Sequence, residues 1–160
     1  MSANKFAWHL KIIPEDDKWR EIAQGFKRQL PQDMQRKVDI SPVAGGWGKC
    51  LKLVDEFKLD QLEKRHLLIL MDFDKRSQER QLTIDSATKN HPRVFVLGST
   101  LEAEDLIKSL GRGGGIACGK RFYSSNMQCN SSLWQDPMLL NPVNQANLPN
   151  ICPLLQQHLV

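Results

Sequence analysis

The sequence predicts an α/β fold in three layers: a mainly parallel four-stranded sheet with helices on both faces, Rossmann-like in outline. Three observations predict it. Apolar, β-favouring segments alternate four times with helix-patterned segments within residues 1–110, and such alternation implies right-handed crossovers between parallel strands. Two of the segments, HLLILM at 66–71 and RVFVL at 93–97, are continuously apolar yet too short for helices, as strands covered on both faces are. Each strand-like segment also ends at a Pro, a Gly or an acidic turn before the next helix begins.

The first strand is predicted at 8–13 (WHLKII), followed by Pro14 and the run Glu15, Asp16, Asp17. Acidic residues suit a first helical turn because they complement its exposed amides. Trp19, Ile22, Ala23 and Phe26 follow at helical spacing, which sets a helix over 16–30 that stops before Pro31. RKVDIS at 36–41 alternates as a half-buried strand does and exits at Pro42. AGGWGK at 44–49 then turns into an amphipathic helix carrying Leu51, Leu53, Val54 and Phe57. The third strand, 66–71, ends in Asp72-Phe73-Asp74, and the polar stretch 75–90 offers only Leu82, Ile84 and Ala87 to a core. The fourth strand leads through Gly98, Ser99 and Thr100 into a helix over 101–110. From Gly111 the chain is rich in Gly, Ser, Asn and Pro, and only 134–140 and 152–159 look able to pack. The expected organisation is an α/β core at 1–110 and an irregular C-terminal extension at 111–160, capped by a short terminal helix and packed on the same domain.

A length of 160 residues suits one core. No apolar run approaches the roughly 18 residues that span a bilayer. The segment 8–13 is too short and too interrupted by His9 and Lys11 to be a signal peptide. The expectation is a cytoplasmic protein with no membrane partner. Cys50, Cys118, Cys129 and Cys152 contain no CxxC pair, so structural zinc is not expected and the thiols are read as reduced packing groups. His9, His66, His91 and His158 lack metal-ligand spacing and are read as structural. Of the four tryptophans, only Trp47, in the glycine turn, is placed to serve a ligand rather than the core. A net charge of +4 permits a polyanionic partner without requiring one.

Ligands of open parallel sheets bind beyond the carboxyl ends of the strands, where loops converge and helix amino termini present free amides. Here those ends carry Glu15, the glycine turn with Gly45, Gly46 and Lys49, then Asp72 and Asp74, then the segment from Ser99 to Glu104. Two aspartates one residue apart at the end of a buried strand, with a glutamate from a neighbouring strand, make an oxygen-rich site suited to a hard divalent ion. The cofactor expected is magnesium or manganese. The glycine turn is not a P-loop, because Val43 stands where the first glycine belongs and Cys50 where Ser or Thr is needed. Gly45, Gly46, Lys49, Lys75 and Arg76 remain candidates for phosphate or nucleic-acid contacts. The basic residues Lys75, Arg76 and Arg80 also suit a solvated helix face, and Ser99 with Glu102 suits a capping box.

The order of IIPEDD, AGGWGK, LLILMDFD and RVFVLGSTLEAED resembles the Toprim domain, in its small stand-alone and overcoming-lysogenization-defect nuclease forms. The resemblance covers roughly residues 8–110. It implies that Glu15 acts as the acid-base group, that Asp72 and Asp74 bind magnesium, and that Glu102 or Glu104 adds a metal ligand. Pro14 and Asp16 flank Glu15 where many Toprim glutamates precede a glycine, which leaves open whether Glu15 or Asp16 faces the site. The activity so implied is a magnesium-dependent nuclease or related phosphoryl transferase acting on nucleic acid. A catalytically inactive binding module, working with a protein partner or as a homo-oligomer, is an alternative. The strand ends DFD and LGST also resemble haloacid-dehalogenase phosphatases, although the later lysine and acidic pair of that family have no counterpart beyond Gly111.

Overall fold

In the computed structural model, which describes residues 7–58, 64–89, 91–110, 113–124 and 132–159, the strands are β1 (His9–Pro14), β2 (Val38–Ile40), β3 (Arg65–Asp72) and β4 (Val94–Ser99). They form one parallel sheet in the order β2-β1-β3-β4. The helices are α1 (Asp17–Gln29), α2 (Gln32–Gln35), α3 (Trp47–Lys58), α4 (Ser77–Thr88), α5 (Ala103–Leu110), α6 (Gly115–Ser124) and α7 (Pro142–Leu159). The three-layer α/β architecture expected from the alternation is therefore present.

Strand β3 lies inside the sheet because its last six residues have no side that tolerates water. Leu68 and Leu70 enter one core with Leu10, Ile12, Phe95, Leu97 and residues of α1, α5 and α6. Leu67, Ile69 and Met71 enter the other with Val94, Val96 and residues of α3 and α4. This is the period-two division of a strand between its faces. The chain steps one way from β1 to β2 and the other way from β2 to β3 and β4. A constant crossover hand requires the connecting helix to change face when the direction reverses. It does: α1 covers the first face, α3 and α4 the second.

Two differences from the sequence reading concern how polar residues are used. The second strand is three residues long rather than six. The segment beyond 111 is not an irregular extension with a short cap but contains α6, a 3-10 turn at Ser132–Gln135 and the 18-residue α7. Helix α6 lies on α1 so closely that a Cβ on Gly119 would collide with the Ile22 carbonyl, and one on Gly25 with that of Ile116. Helix α7 contains Pro149 and Pro153, and its Asn-rich first half reads as loop because the purpose of the asparagines is tertiary. Asn144 Oδ1 accepts from the Gly98 N–H at 2.8 Å, while its Nδ2 donates to the Gly98 and Leu139 carbonyls at 2.8 Å each. Asn147 Oδ1 accepts from the Val96 N–H at 3.0 Å. Side-chain amides thus satisfy the outer backbone of edge strand β4.

Cys50 and Cys118 are free and buried, as expected, but Cys152 is disulfide-bonded rather than reduced; Cys129 lies outside the described residues. His66 stacks on Phe95, His158 stacks on Trp8, and His9 accepts from Arg65 Nε, so these three histidines serve packing. Among the described residues no helix is long and apolar enough to cross a membrane.

Replacing Asn144 by Ala strands the buried Gly98 N–H and removes a partner from two carbonyls. An expected cost of about 2–4 kcal/mol in urea unfolding follows. Leu82→Ala, at a position 75% exposed, is the reference and should change stability by less than about 0.5 kcal/mol.

Candidate functional site

Strand order reverses its direction of growth between β1 and β3, since β2 is added beyond β1 and β4 beyond β3. The carboxyl ends of these two strands therefore splay into the crevice where open α/β sheets bind ligands. Glu15 follows β1 directly and Asp72 is the last residue of β3. The Glu15 N–H continues the ladder to the Leu70 carbonyl at 2.9 Å. Its side-chain Oε2 then takes the next place in that ladder by accepting the Asp72 N–H at 2.7 Å.

Asp16 is the N-cap of α1, with Oδ1 accepting the Trp19 N–H at 3.1 Å. One turn of helix carries the Trp19 indole back over the sheet, where its Nε1–H donates to Asp72 Oδ1 at 2.8 Å. Trp19 therefore fixes both aspartates, one through its backbone and one through its ring. Trp19 is buried and lines an apolar cavity of about 80 Å³ with Leu10, Ile12, Leu70 and Trp134. Glu15, Asp16 and Asp72 bring one candidate ligand oxygen each to within 4.8 Å of one another. Each of these carboxylates has one oxygen committed to an N–H and a second left over.

Burial pushes the Asp72 carboxyl up to about 7; the Trp19 N–H opposes this, and the charges of Glu15, Asp16 and Asp74 reinforce it. Burial likewise raises Glu15, against the hydrogen bond from the Asp72 N–H, with Asp16 and Asp74 adding to the rise and Arg80 lowering it. The folded protein thus binds a proton at Asp72 more tightly than the unfolded chain does. This contribution to stability is complete below the unfolded value near 4 and is lost as pH rises to about 7. Three pH units correspond to about 4 kcal/mol at most. A divalent ion would remove that penalty. Oxygens about 2.1 Å from magnesium stand roughly 3 Å apart when adjacent and roughly 4.2 Å apart when opposite, so three oxygens already within 4.8 Å of one another suit such an ion.

The other residues singled out in the sequence occupy different places. Asp74 is exposed, and its Oδ2 faces Arg80 Nη2 at 3.4 Å; Asp16, not Asp74, completes the group of three. Glu102 and Glu104 are exposed at the start of α5 and stand outside that group. The capping box does not form: Ser99 Oγ donates to the Glu102 carbonyl at 3.5 Å, and the Glu102 N–H is taken by Asp105. Gly45 and Lys49 do border the site, for the Gly45 N–H donates to the Glu15 carbonyl at 2.9 Å and a Cβ on Gly45 would stand 3.6 Å from Lys49 Nζ. Gly46, beside them, has open space where a side chain would be. Lys75 and Arg76 are exposed in the turn between Asp74 and α4. Asp74 and Lys75 both hold positive φ, 50° and 62°, which is rare for residues with a Cβ. The sequence assigns Trp19 to the core as a helix-spaced apolar residue and Arg80, with Lys75 and Arg76, to a solvated helix face, so it places neither at the site.

No protein-family model, curated protein or solved structure matches the chain. The geometry of the crevice therefore carries the functional reading.

Asp72→Asn keeps an oxygen for the Trp19 indole and removes the buried charge. In metal-free buffer it should raise stability by about 2–4 kcal/mol at pH 8 and by little at pH 5, where the wild-type carboxyl is already protonated. Added magnesium or manganese should raise the melting temperature of the wild type at pH 8, less at pH 5, and leave the variant unmoved. Lys75→Gly, relieving a left-handed backbone, should gain up to about 1 kcal/mol at either pH. Thermal and urea unfolding at the two pH values measure all of these.

Proposed function

We propose that this protein is a magnesium- or manganese-dependent nuclease, or a related phosphoryl-transfer enzyme acting on nucleic acid, of the Toprim-like type. One observation supports the reading above the rest: three partly or wholly buried carboxylates, from the ends of the adjacent strands β1 and β3 and the N-cap of α1, meet at the sheet's switch point with an unused oxygen apiece. Mutual repulsion of this kind is tolerated where a cation is to be held.

In this reading Asp72 and Asp16 hold the ion, with Trp19 keeping both in position. A divalent ion bound there supplies charge neutralisation at a phosphoryl group and acidifies a bound water. Glu15, raised from its usual range by burial, suits a group that accepts and returns a proton. Its orientation is set by the Asp72 N–H on Oε2, which leaves Oε1 for the reacting water or leaving oxygen. Asp74 contributes negative field rather than ligation.

The test is cleavage of a panel of single- and double-stranded DNA and RNA with magnesium, with manganese and with chelator. Metal-dependent cleavage is expected, with Asp72→Asn and Glu15→Gln each reducing the rate by about 10²–10⁴-fold. Asp16→Asn, which preserves the helix cap, should reduce metal affinity more than it reduces the rate at saturating metal. Equal rates for wild type and Asp72→Asn would defeat the proposal. Binding of nucleic acid that survives both substitutions, with no cleavage, would indicate the non-catalytic module instead.

A further inference from the structure

Arg80 is the least satisfied charged group among the described residues. It lies on α4 with 8% of its surface exposed. Its Nε is buried without a hydrogen-bond partner, and the one polar contact of its guanidinium is a long one, 3.4 Å from Nη2 to Asp74 Oδ2. A guanidinium has five N–H donors, so most of its capacity is unused in a place where unpaired charge is costly. The group is nevertheless fixed, because Cζ lies 3.8 Å from the ring centroid of Trp47. Stacking on an aromatic face sets the plane of the guanidinium while leaving its edge available.

That placement is beside the carboxylate crevice. Trp47 is the first residue of α3 and follows the turn in which the Gly45 N–H meets the Glu15 carbonyl. Arg80 is also near enough to Glu15 to favour its ionised form. Lys49 bends back over the same turn, and the first-turn amides of α3, a helix of 12 residues, have no helical acceptors. Positive groups therefore border the crevice beside Glu15.

We infer that Arg80, held flat on Trp47, is the phosphate-binding residue of this site, taking the non-bridging oxygens of a phosphate ester on the unused edge of its guanidinium. The inference rests on the phosphoryl-transfer reading and deepens it by naming the substrate's anionic anchor. Asp16 and Asp72, grouped with Glu15, would hold a divalent ion, and Arg80 would orient the phosphate ester beside it. A planar, always-charged group matches two phosphate oxygens at once; a lysine offers a point charge only. Asp74 acts here as the resting partner that phosphate displaces, and its long contact makes the exchange inexpensive.

Inorganic phosphate is the probe, titrated into the full chain at pH 8 without metal and then with magnesium, against sodium chloride of equal ionic strength. The readouts are the Arg80 Nε–H and Trp47 indole N–H resonances in nitrogen-15 correlation spectra. Both should shift saturably with phosphate and not with chloride. Arg80→Gln should weaken phosphate affinity at least about 10-fold while changing metal affinity less than threefold, roughly, and Arg80→Lys should restore only part of the loss. If phosphate leaves the wild-type Arg80 and Trp47 resonances unmoved in both conditions, the inference is wrong, and that measurement needs no variant to fold. Failure of the phosphoryl-transfer reading looks different: the carboxylates bind no metal and cleave nothing, while the metal-free phosphate titration of Arg80 stands on its own.

Discussion

A strand with water on neither face has to discharge its polarity at its ends, and β3 does so where β1 also ends. Met71 is fully buried and Asp72, one residue later, is still only 8% exposed. The core therefore delivers a carboxylate to the sheet edge before solvent can hydrate it. Parallel pairing then aligns Pro14 with Leu70 and Asp72 with Ser99, which sets Glu15 against the backbone of Asp72. Everything else at the edge adapts to that buried charge: Trp19 donates to it, Asp16 anchors Trp19, and Arg80 balances Asp74 at the rim.

Such an arrangement is frustrated. Burial raises the proton affinity of both Glu15 and Asp72, the charge of Glu15 raises that of Asp72 further, and the hydrogen bonds from the Asp72 N–H and the Trp19 indole recover only part of the desolvation. Sites that hold charge in this way trade stability for preorganisation. The left-handed pair Asp74 and Lys75 adds a second local cost beside the first. Two independent departures from low-energy structure thus fall within three residues of one strand end, while the cores under them follow simple patterning.

The fold was legible because its signals are local. Period-two and period-3.6 burial, the proline and glycine stops, and the apolar runs of β3 and β4 each act over a few residues, and the four strands, β2 in shortened form, and helices α1, α3 and α5 lie where those signals put them. The edge position of the carboxylates was legible for the same reason, since a residue that follows a parallel strand must be at the carboxyl edge. Which carboxylates converge was not. The sequence favours Asp74 and offers Asp16 only in place of Glu15, whereas the turn at Asp74 sets its side chain towards Arg80 and the cap geometry of α1 brings Asp16 into the group. Arg80 was illegible because a basic residue in a polar helix looks solvated until Trp47, more than 30 residues earlier in the sequence, is seen beneath it. The asparagines of α7 misled in the same sense. Their amides serve a strand more than 40 residues away, and no window of local sequence contains both partners.

Those asparagines also decide how this molecule can meet others. An uncovered sheet margin is an invitation for a neighbour's extended chain to join by backbone pairing. On the β4 side the outward amides of Val96 and Gly98 are already occupied by Asn147 and Asn144, and α7 lies across the approach. The opposite margin is β2, three residues long, which is too short a template to hold a foreign strand firmly. Backbone recruitment is therefore closed on one side of the sheet and weak on the other.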